Sequence, residues 1–402
     1  SISTYPENNQ YMHQASNWLA DHMKNIGIDN LQVFTPPANP IVYGEMSTAG
    51  PDKPTILLYG HYDVQPPEPM DLWISQPFQP EIRDDNLYAR GASDMKGQVM
   101  AFLKAIEAIQ QTGQFPINLK FLIEGEEEIG SPHLATFIEE HKSLLTCDAA
   151  LNLDASMAGI NKPSITYALR GLSYFELLVE GPDHDLHSGS YGGVVHNPAN
   201  ALCELIAGMH DDHGKITLPG FYDRVLSLSD EEKQSLKDDD ISDEEILRQT
   251  GSPKLWGEEG YSPIERMGSR PTLDVNGMIS GFTGNGGKTI IPAWARAKIS
   301  MRLVPNQDPE EVHAQLRQYL VENAPDTIRW TLIPFSGAPA SLTNRTSPIT
   351  KALSEAQKEV WGVDPIYKRE GGSVPVVGDM QKILGIDSVL SGLGLPDDHI
   401  HS

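Results

Sequence analysis

The sequence predicts an α/β protein: a mostly parallel mixed sheet with helices on both faces, interrupted by a smaller inserted α+β domain. Three observations carry this. In the first third of the chain, short apolar runs alternate with segments of helical period, the pattern of strands joined by covering helices. The middle of the chain changes to strands in which apolar and polar residues alternate, as in an antiparallel sheet with one exposed face. A chain of 402 residues also exceeds what one hydrophobic core ordinarily organises, so two folding units are needed.

Thr55–Tyr59 (TILLY) is an apolar run ending at Gly60 and reads as a buried parallel strand. Met95–Gln111 carries helical spacing through Val99, Phe102, Leu103 and Ile106 and stops at Gly113. Asn118–Ile123 and Ala149–Leu153 read as two more strands, with a helix over about Pro132–Leu145 between them. After Arg170-Gly171, the segment Ser173–Glu180 (SYFELLVE) alternates. A helix over Pro198–Met209 and an acidic, helix-rich stretch from about Asp223 to Glu265 come next. Strands at Ala295–Leu303 and Thr327–Ile333 flank a helix at Pro309–Val321, a small α+β arrangement. From about Ser341 buried strands and helices return, such as Ile349–Trp361. The inserted domain is therefore placed at 169–338, and residues 1–168 and 339–402 form the larger domain.

In an open α/β sheet, ligands bind just beyond the carboxyl ends of the strands. Four loops place reactive side chains there. The TILLY strand runs into Gly60-His61-Tyr62-Asp63, and the loop Arg90–Gly97 carries Asp94 into the next helix. The strand at Asn118–Ile123 runs into Glu124-Gly125-Glu126-Glu127-Glu128, and Ala149–Leu153 into Asp154. One histidine with three or more carboxylates is a ligand set for two divalent cations sharing a bridging carboxylate. Imidazole with carboxylate suits zinc, manganese or cobalt better than magnesium or calcium. Asp63, two residues along an extended chain from His61, faces the same way and is placed to orient the imidazole. Singly, each feature has a bland reading: an acidic triplet is usually a solvated face, and Asp94 could be a helix cap. Their convergence on one sheet edge gives them weight.

Four motifs together resemble the co-catalytic zinc exopeptidases. They are Gly-His-Tyr-Asp-Val-Gln-Pro (60–66), Arg-Gly-Ala-Ser-Asp-Met-Lys-Gly (90–97), Glu-Gly-Glu-Glu-Glu-Ile-Gly-Ser (124–131) and Arg-Glu-Gly-Gly-Ser-Val-Pro (369–375). The resemblance spans nearly the whole chain. With Asp-Leu-His-Ser-Gly (185–189), it is nearer to the dipeptidase branch than to the deacylases. It implies two zinc ions per subunit, with manganese or cobalt as alternatives. His61 and Asp154 would bind one ion, Glu128 and His401 the other, and Asp94 would bridge them. Glu127 would be the general base, taking a proton from a water held between the metals so that hydroxide attacks the carbonyl. The register is chosen by Ile129-Gly130, since the family's glutamate pair directly precedes a small or apolar residue and Gly; Glu126-Glu127 is the alternative. His401 is chosen over His399 because Ser402 comes directly after it.

The resemblance also implies that His187 reaches the active site of the other subunit of a homodimer and stabilises the oxyanion there. The inserted domain is then a lid and dimerisation domain. Arg302 would take the substrate's free carboxylate, assisted by Gly371, Gly372 and Ser373. Some relatives carry a second histidine in the loop after the inserted domain's last strand. Here Phe335-Ser336-Gly337-Ala338-Pro339 has none. The implied activity is hydrolysis of dipeptides or other short peptides with a free carboxylate. An N-acyl amino acid deacylase of the same family is the alternative, and a non-catalytic binding protein is disfavoured by the filled base position.

Hydrophobic residues make up 39% and charged residues 21%, which suits a globular chain. The net charge of −25 without any basic run excludes nucleic acid and anionic membrane as natural partners. No apolar run approaches the roughly 20 residues of a membrane span. The only cysteines, Cys147 and Cys203, lack metal-ligand spacing and read as separate buried thiols. Without a recognisable leader peptide, the cytoplasm is the default location.

Overall fold

Four adjacent parallel strands, in the order Asn118–Glu124, Thr55–His61, Ala149–Asn152 and Asp387–Leu390, form the centre of a nine-stranded mixed sheet. The computed structural model describes residues 1–35, 39–113, 115–237, 242–372 and 374–401. Antiparallel strands flank the parallel centre: Ile41–Met46 and Asp29–Phe34 on one side, Ser164–Leu169 on the other. Consecutive residues Leu57, Leu58 and Tyr59 are all buried. A continuous apolar run is what a strand covered on both faces requires. The helix Asn9–Asn25 contributes Met12, Leu19 and Met23 to this core, and the helix Lys96–Thr112 contributes Val99, Leu103 and Ile106.

Register matters most for function. His61 pairs with Glu124, while Tyr59 and Leu390 both pair with Asn152. All four parallel strands therefore end at one edge of the sheet, and the loops leaving their carboxyl ends emerge there together.

The chain divides into two compact units, residues 1–167 with 343–368 and 374–402, and residues 168–342 with 369–373. The second unit is built on a four-stranded antiparallel sheet ordered Thr272–Ser280, Trp294–Leu303, Gly171–Glu180, Arg329–Ala338. One face carries Phe175, Leu177, Val179, Ala297, Ile299 and Met301 into a core closed by the helices Pro198–Ala207 and Pro309–Asn323. Both helices begin at a side-chain cap followed by proline at the first turn. Asn197 accepts from the Ala199 N–H, and Asp308 from those of Glu310 and Glu311.

Several local expectations change. The segment expected to be a loop after Ile333 is the end of a strand running to Ala338, with its irregularity between Pro334 and Ser336. Proline is tolerated there because this strand lies at the sheet edge. The helix expected over 132–145 is only Leu134–Glu140. Strands Ser164–Leu169 and Thr272–Ser280 carry no local signal strong enough to be expected. Cys203 is exposed and Cys147 half-buried, both free thiols, so neither is the fully buried group expected. No helix among the described residues is long and apolar enough to cross a membrane.

Candidate metal centre

His61 is the last residue of its strand and completely buried, at 0% exposure. Its Nδ1 faces the Asp63 carboxylate at 3.3 Å. Its Nε2 faces Asp94 Oδ1 at 3.1 Å, Asp154 Oδ2 at 3.7 Å and Glu127 Oε2 at 4.0 Å. A proton on Nδ1 directed at Asp63 leaves the Nε2 lone pair pointing into the carboxylates, the orientation a ligating imidazole needs. Asp63 also accepts the backbone N–H of Glu127 at 3.3 Å and of Glu128 at 3.1 Å. One buried carboxylate thus aligns both the histidine and the acidic turn.

Asp94 sits in the loop entering the helix Lys96–Thr112. The backbone packs closely: a Cβ on Gly97 would lie 2.0 Å from the Ala92 carbonyl oxygen, so only glycine fits. The two oxygens of Asp94 are divided, Oδ1 toward His61 and Oδ2 toward His401 Nε2 at 3.0 Å. His401 Nε2 also lies 3.4 Å from Glu128 Oε2. Among the described residues, two groups have metal-ligand geometry, His61–Asp94–Asp154 and Asp94–Glu128–His401, with donor atoms in each within 4.8 Å of one another. The structure brings all five sequence-derived ligand candidates together, with Asp94 common to both groups. His399, the alternative to His401, belongs to neither.

The electrostatics fit divalent cations. Burial alone would raise the Asp94 pKa, but hydrogen bonds with His401 and His61 hold it well below the usual carboxylate range. Burial opposes a charge on His61, yet Asp63, Asp94 and Asp154 hold its pKa well above normal. His401 is raised to about 10 by its bonds with Asp94 and Glu128. Burial lifts Glu127 to about 9, countered by His61 and reinforced by Asp154, Glu128 and Glu124. Imidazole and carboxylate donors in two triads around a shared aspartate are the donor chemistry of a zinc, manganese or cobalt pair.

Neighbouring carboxylates are used differently. Glu126 accepts from the Asn39 N–H at 3.2 Å and pairs with His133 at 2.9 Å. Glu124 accepts from Tyr59 and Ser131, and burial lifts it to about 8. A residue not assigned a role from sequence, Gln65, holds Glu128 in place. Its signal was its position in the 60–66 motif.

The remaining candidates lie in the second unit. His187 ends a two-residue strand and caps the helical turn Ser188–Tyr191. Its Nδ1 accepts the Gly189 N–H at 2.9 Å, so the neutral ring carries its proton on Nε2. Arg302 lies in the strand Trp294–Leu303, opposite Leu172 and Thr272. Gly371 is near Arg170, whose Nε donates to the Gly371 carbonyl at 3.4 Å. Gly371 and Gly372 belong to the segment 369–373, which groups with this unit rather than with the larger one. Ser373 lies outside the described residues.

Comparison with known proteins gives a consistent result. A sequence model of peptidase family M20/M25/M40 matches residues 57–402. A Cys-Gly metallodipeptidase of Candida albicans is 34% identical over 97% of this chain and 84% of its own length. A beta-Ala-His dipeptidase of Mus musculus is 30% identical over 100% of this chain and 85% of its own. Among solved structures, a metallo-carboxypeptidase of Sulfolobus solfataricus matches with a TM-score of 0.85 at 33% identity, covering 100% of this chain and 93% of that one. Human carnosine dipeptidase 1 matches with a TM-score of 0.80 at 30% identity, covering 100% and 88%.

Proposed function

This chain belongs to peptidase family M20/M25/M40 and is a metallopeptidase, and from that premise we propose that it hydrolyses dipeptides with a free C-terminal carboxylate, using two zinc ions per subunit. The observation that carries this is the pair of donor triads sharing Asp94, with Glu127 beside them. The names of the relatives, which act on Cys-Gly and beta-Ala-His, support the dipeptide class.

His61, Asp94 and Asp154 would hold one ion and Asp94, Glu128 and His401 the other. Such ions, when bound, lower the pKa of water and polarise a carbonyl. Manganese or cobalt would satisfy the same donors.

Glu127 takes a proton from the attacking water and returns it to the leaving amine. The bonding of the Glu126 carboxylate to Asn39 and His133 supports this register. Asp63 keeps His61 in the metal-binding tautomer and fixes the 127–128 turn. His187, with its proton on Nε2, donates a hydrogen bond to the developing oxyanion, across the interface of a homodimer. Arg302, with Gly371, Gly372 and Ser373, retains the substrate carboxylate and so restricts cleavage to short peptides. The inserted unit acts as lid and dimerisation domain.

The metal-loaded protein assayed against matched panels of dipeptides and N-acyl amino acids tests the substrate class. Faster turnover of dipeptides is expected. Turnover confined to N-acyl amino acids would make the chain a deacylase instead.

A further inference from the structure

We infer that Arg90 is a positioning residue that builds the Asp94–Glu128–His401 metal triad, and that it does not support the His61–Asp94–Asp154 triad in the same way. The inference rests on the proposed two-triad metal centre.

His401 poses a positional problem. The last strand ends at Leu390, and the ten residues from there to Ile400 form no helix or strand. The His401 side chain is 56% exposed, so packing does little to hold it. A metal ligand must nevertheless be kept within about 0.5 Å of its working position. Polar tethers take over that task. The Leu393 N–H donates to Gln98 Oε1 at 2.7 Å, and Ser93 Oγ donates to the Asp398 carboxylate. The tether nearest the ligand is the Arg90 guanidinium, whose Nη1 donates to the carbonyl of Ile400, the residue before His401.

The same guanidinium reaches the second ligand of that triad. Its Nη2 donates to the Pro66 carbonyl at 3.2 Å, and Pro66 adjoins Gln65, the residue that grips Glu128. Arg90 also stands four residues before Asp94, in the same loop. It is only 7% exposed, its backbone N–H donates to the Pro77 carbonyl at 2.8 Å, and its Cζ lies 5.3 Å from the Trp73 ring centroid. A held, planar fork therefore ties together the segments carrying Asp94, Glu128 and His401, which are remote in sequence. Both arms of the fork, to Ile400 and to Pro66, serve ligands of this triad.

Lysine would preserve the charge but not the fork. One ammonium on a flexible stem cannot donate to two carbonyls in the fixed geometry of a guanidinium. Arg90→Lys and Arg90→Gln should therefore share a defect if the strap matters, and differ if only the charge does.

The experiment is calorimetric titration of chelator-stripped protein with zinc alone, on wild type, Arg90→Lys and Arg90→Gln, with metal-free thermal unfolding as a folding control. Wild type should bind two ions. Both variants should keep one ion at wild-type affinity and bind the other about 10–100-fold more weakly, the usual effect of removing an outer support. Loss confined to one of two adjacent ions is not what general destabilisation would produce. The inference is overturned if both ions keep wild-type affinity, if both weaken equally, or if Arg90→Lys behaves as wild type. Should Arg90→Gln fail to fold, Arg90→Lys alone decides. Wild-type protein binding fewer than two ions would sink the two-triad reading itself, and this inference with it.

Discussion

Gln65 holds Glu128 at three points: its backbone N–H donates to Oε1 at 3.1 Å, and its side-chain amide donates to Oε2 at 2.8 Å and to the Glu128 carbonyl at 3.2 Å. The strand carrying His61 thus continues into a residue that orients a ligand from the neighbouring strand's turn. Gln65→Ala removes the two side-chain bonds, to Oε2 and to the Glu128 carbonyl, and leaves only the backbone N–H on Oε1, without touching any donor atom. Zinc affinity at one of the two sites should fall about 10–100-fold. Calorimetric titration reads this directly, and unchanged affinity would leave Gln65 as ordinary packing.

Asp94 gives one oxygen to each histidine, so neither triad survives its removal. Asp94→Ala should lose both ions. Elemental analysis of the purified, metal-loaded variant checks it. Two retained equivalents with full activity would refute the shared-ligand assignment.

Glu127→Gln should keep both ions and lose about 10²–10⁴-fold in rate, the usual contribution of a positioned proton-transfer group. Glu126→Gln should leave the rate nearly unchanged, because its carboxylate is occupied by Asn39 and His133. An inactive Glu126 variant beside an active Glu127 variant would shift the functional pair by one residue.

Metal uptake should release protons. His61 and His401 are both held above the normal histidine pKa by surrounding carboxylates, and both must be deprotonated to ligate. Because the raised pKa values belong to the metal-free form, affinity should rise with pH through the neutral range. Calorimetry in buffers of different ionisation enthalpy counts the released protons. About two per chain are expected from the histidines, and no release would contradict imidazole ligation.

His187 is tested by complementation. An inactive Glu127→Gln chain mixed with an inactive His187→Ala chain should regain roughly a quarter of wild-type activity. Random reassortment makes about half the dimers mixed, each with one working site. If subunits demonstrably exchange and the mixture stays inactive, His187 serves its own chain or takes no part.

Some of this protein is determined locally and can be read from the sequence. Apolar runs ending in Gly-His, in the acidic turn or before Asp154 announce strands whose carboxyl ends carry the chemistry, because burial and period are properties of neighbouring residues. Three of the four parallel central strands, and three of the four strands of the second unit's sheet, come from the same signals; Asp387–Leu390 and Thr272–Ser280 do not. The tertiary structure decided what depends on direction and on distant partners. Glu126, Glu127 and Glu128 are indistinguishable as letters. They lie around a short 3₁₀ turn, which rotates successive side chains by about 120°, sending Glu126 to His133 and Glu127 toward His61. The extension of the edge strand through Phe335 to Ala338 depends on pairing with Gly171–Glu180, which no local pattern encodes. The hydrogen bond from Arg90 to Ile400 crosses 310 positions of sequence. A side chain's periodicity reports whether it is buried, but only the folded chain decides which remote carbonyl its hydrogen bonds will meet.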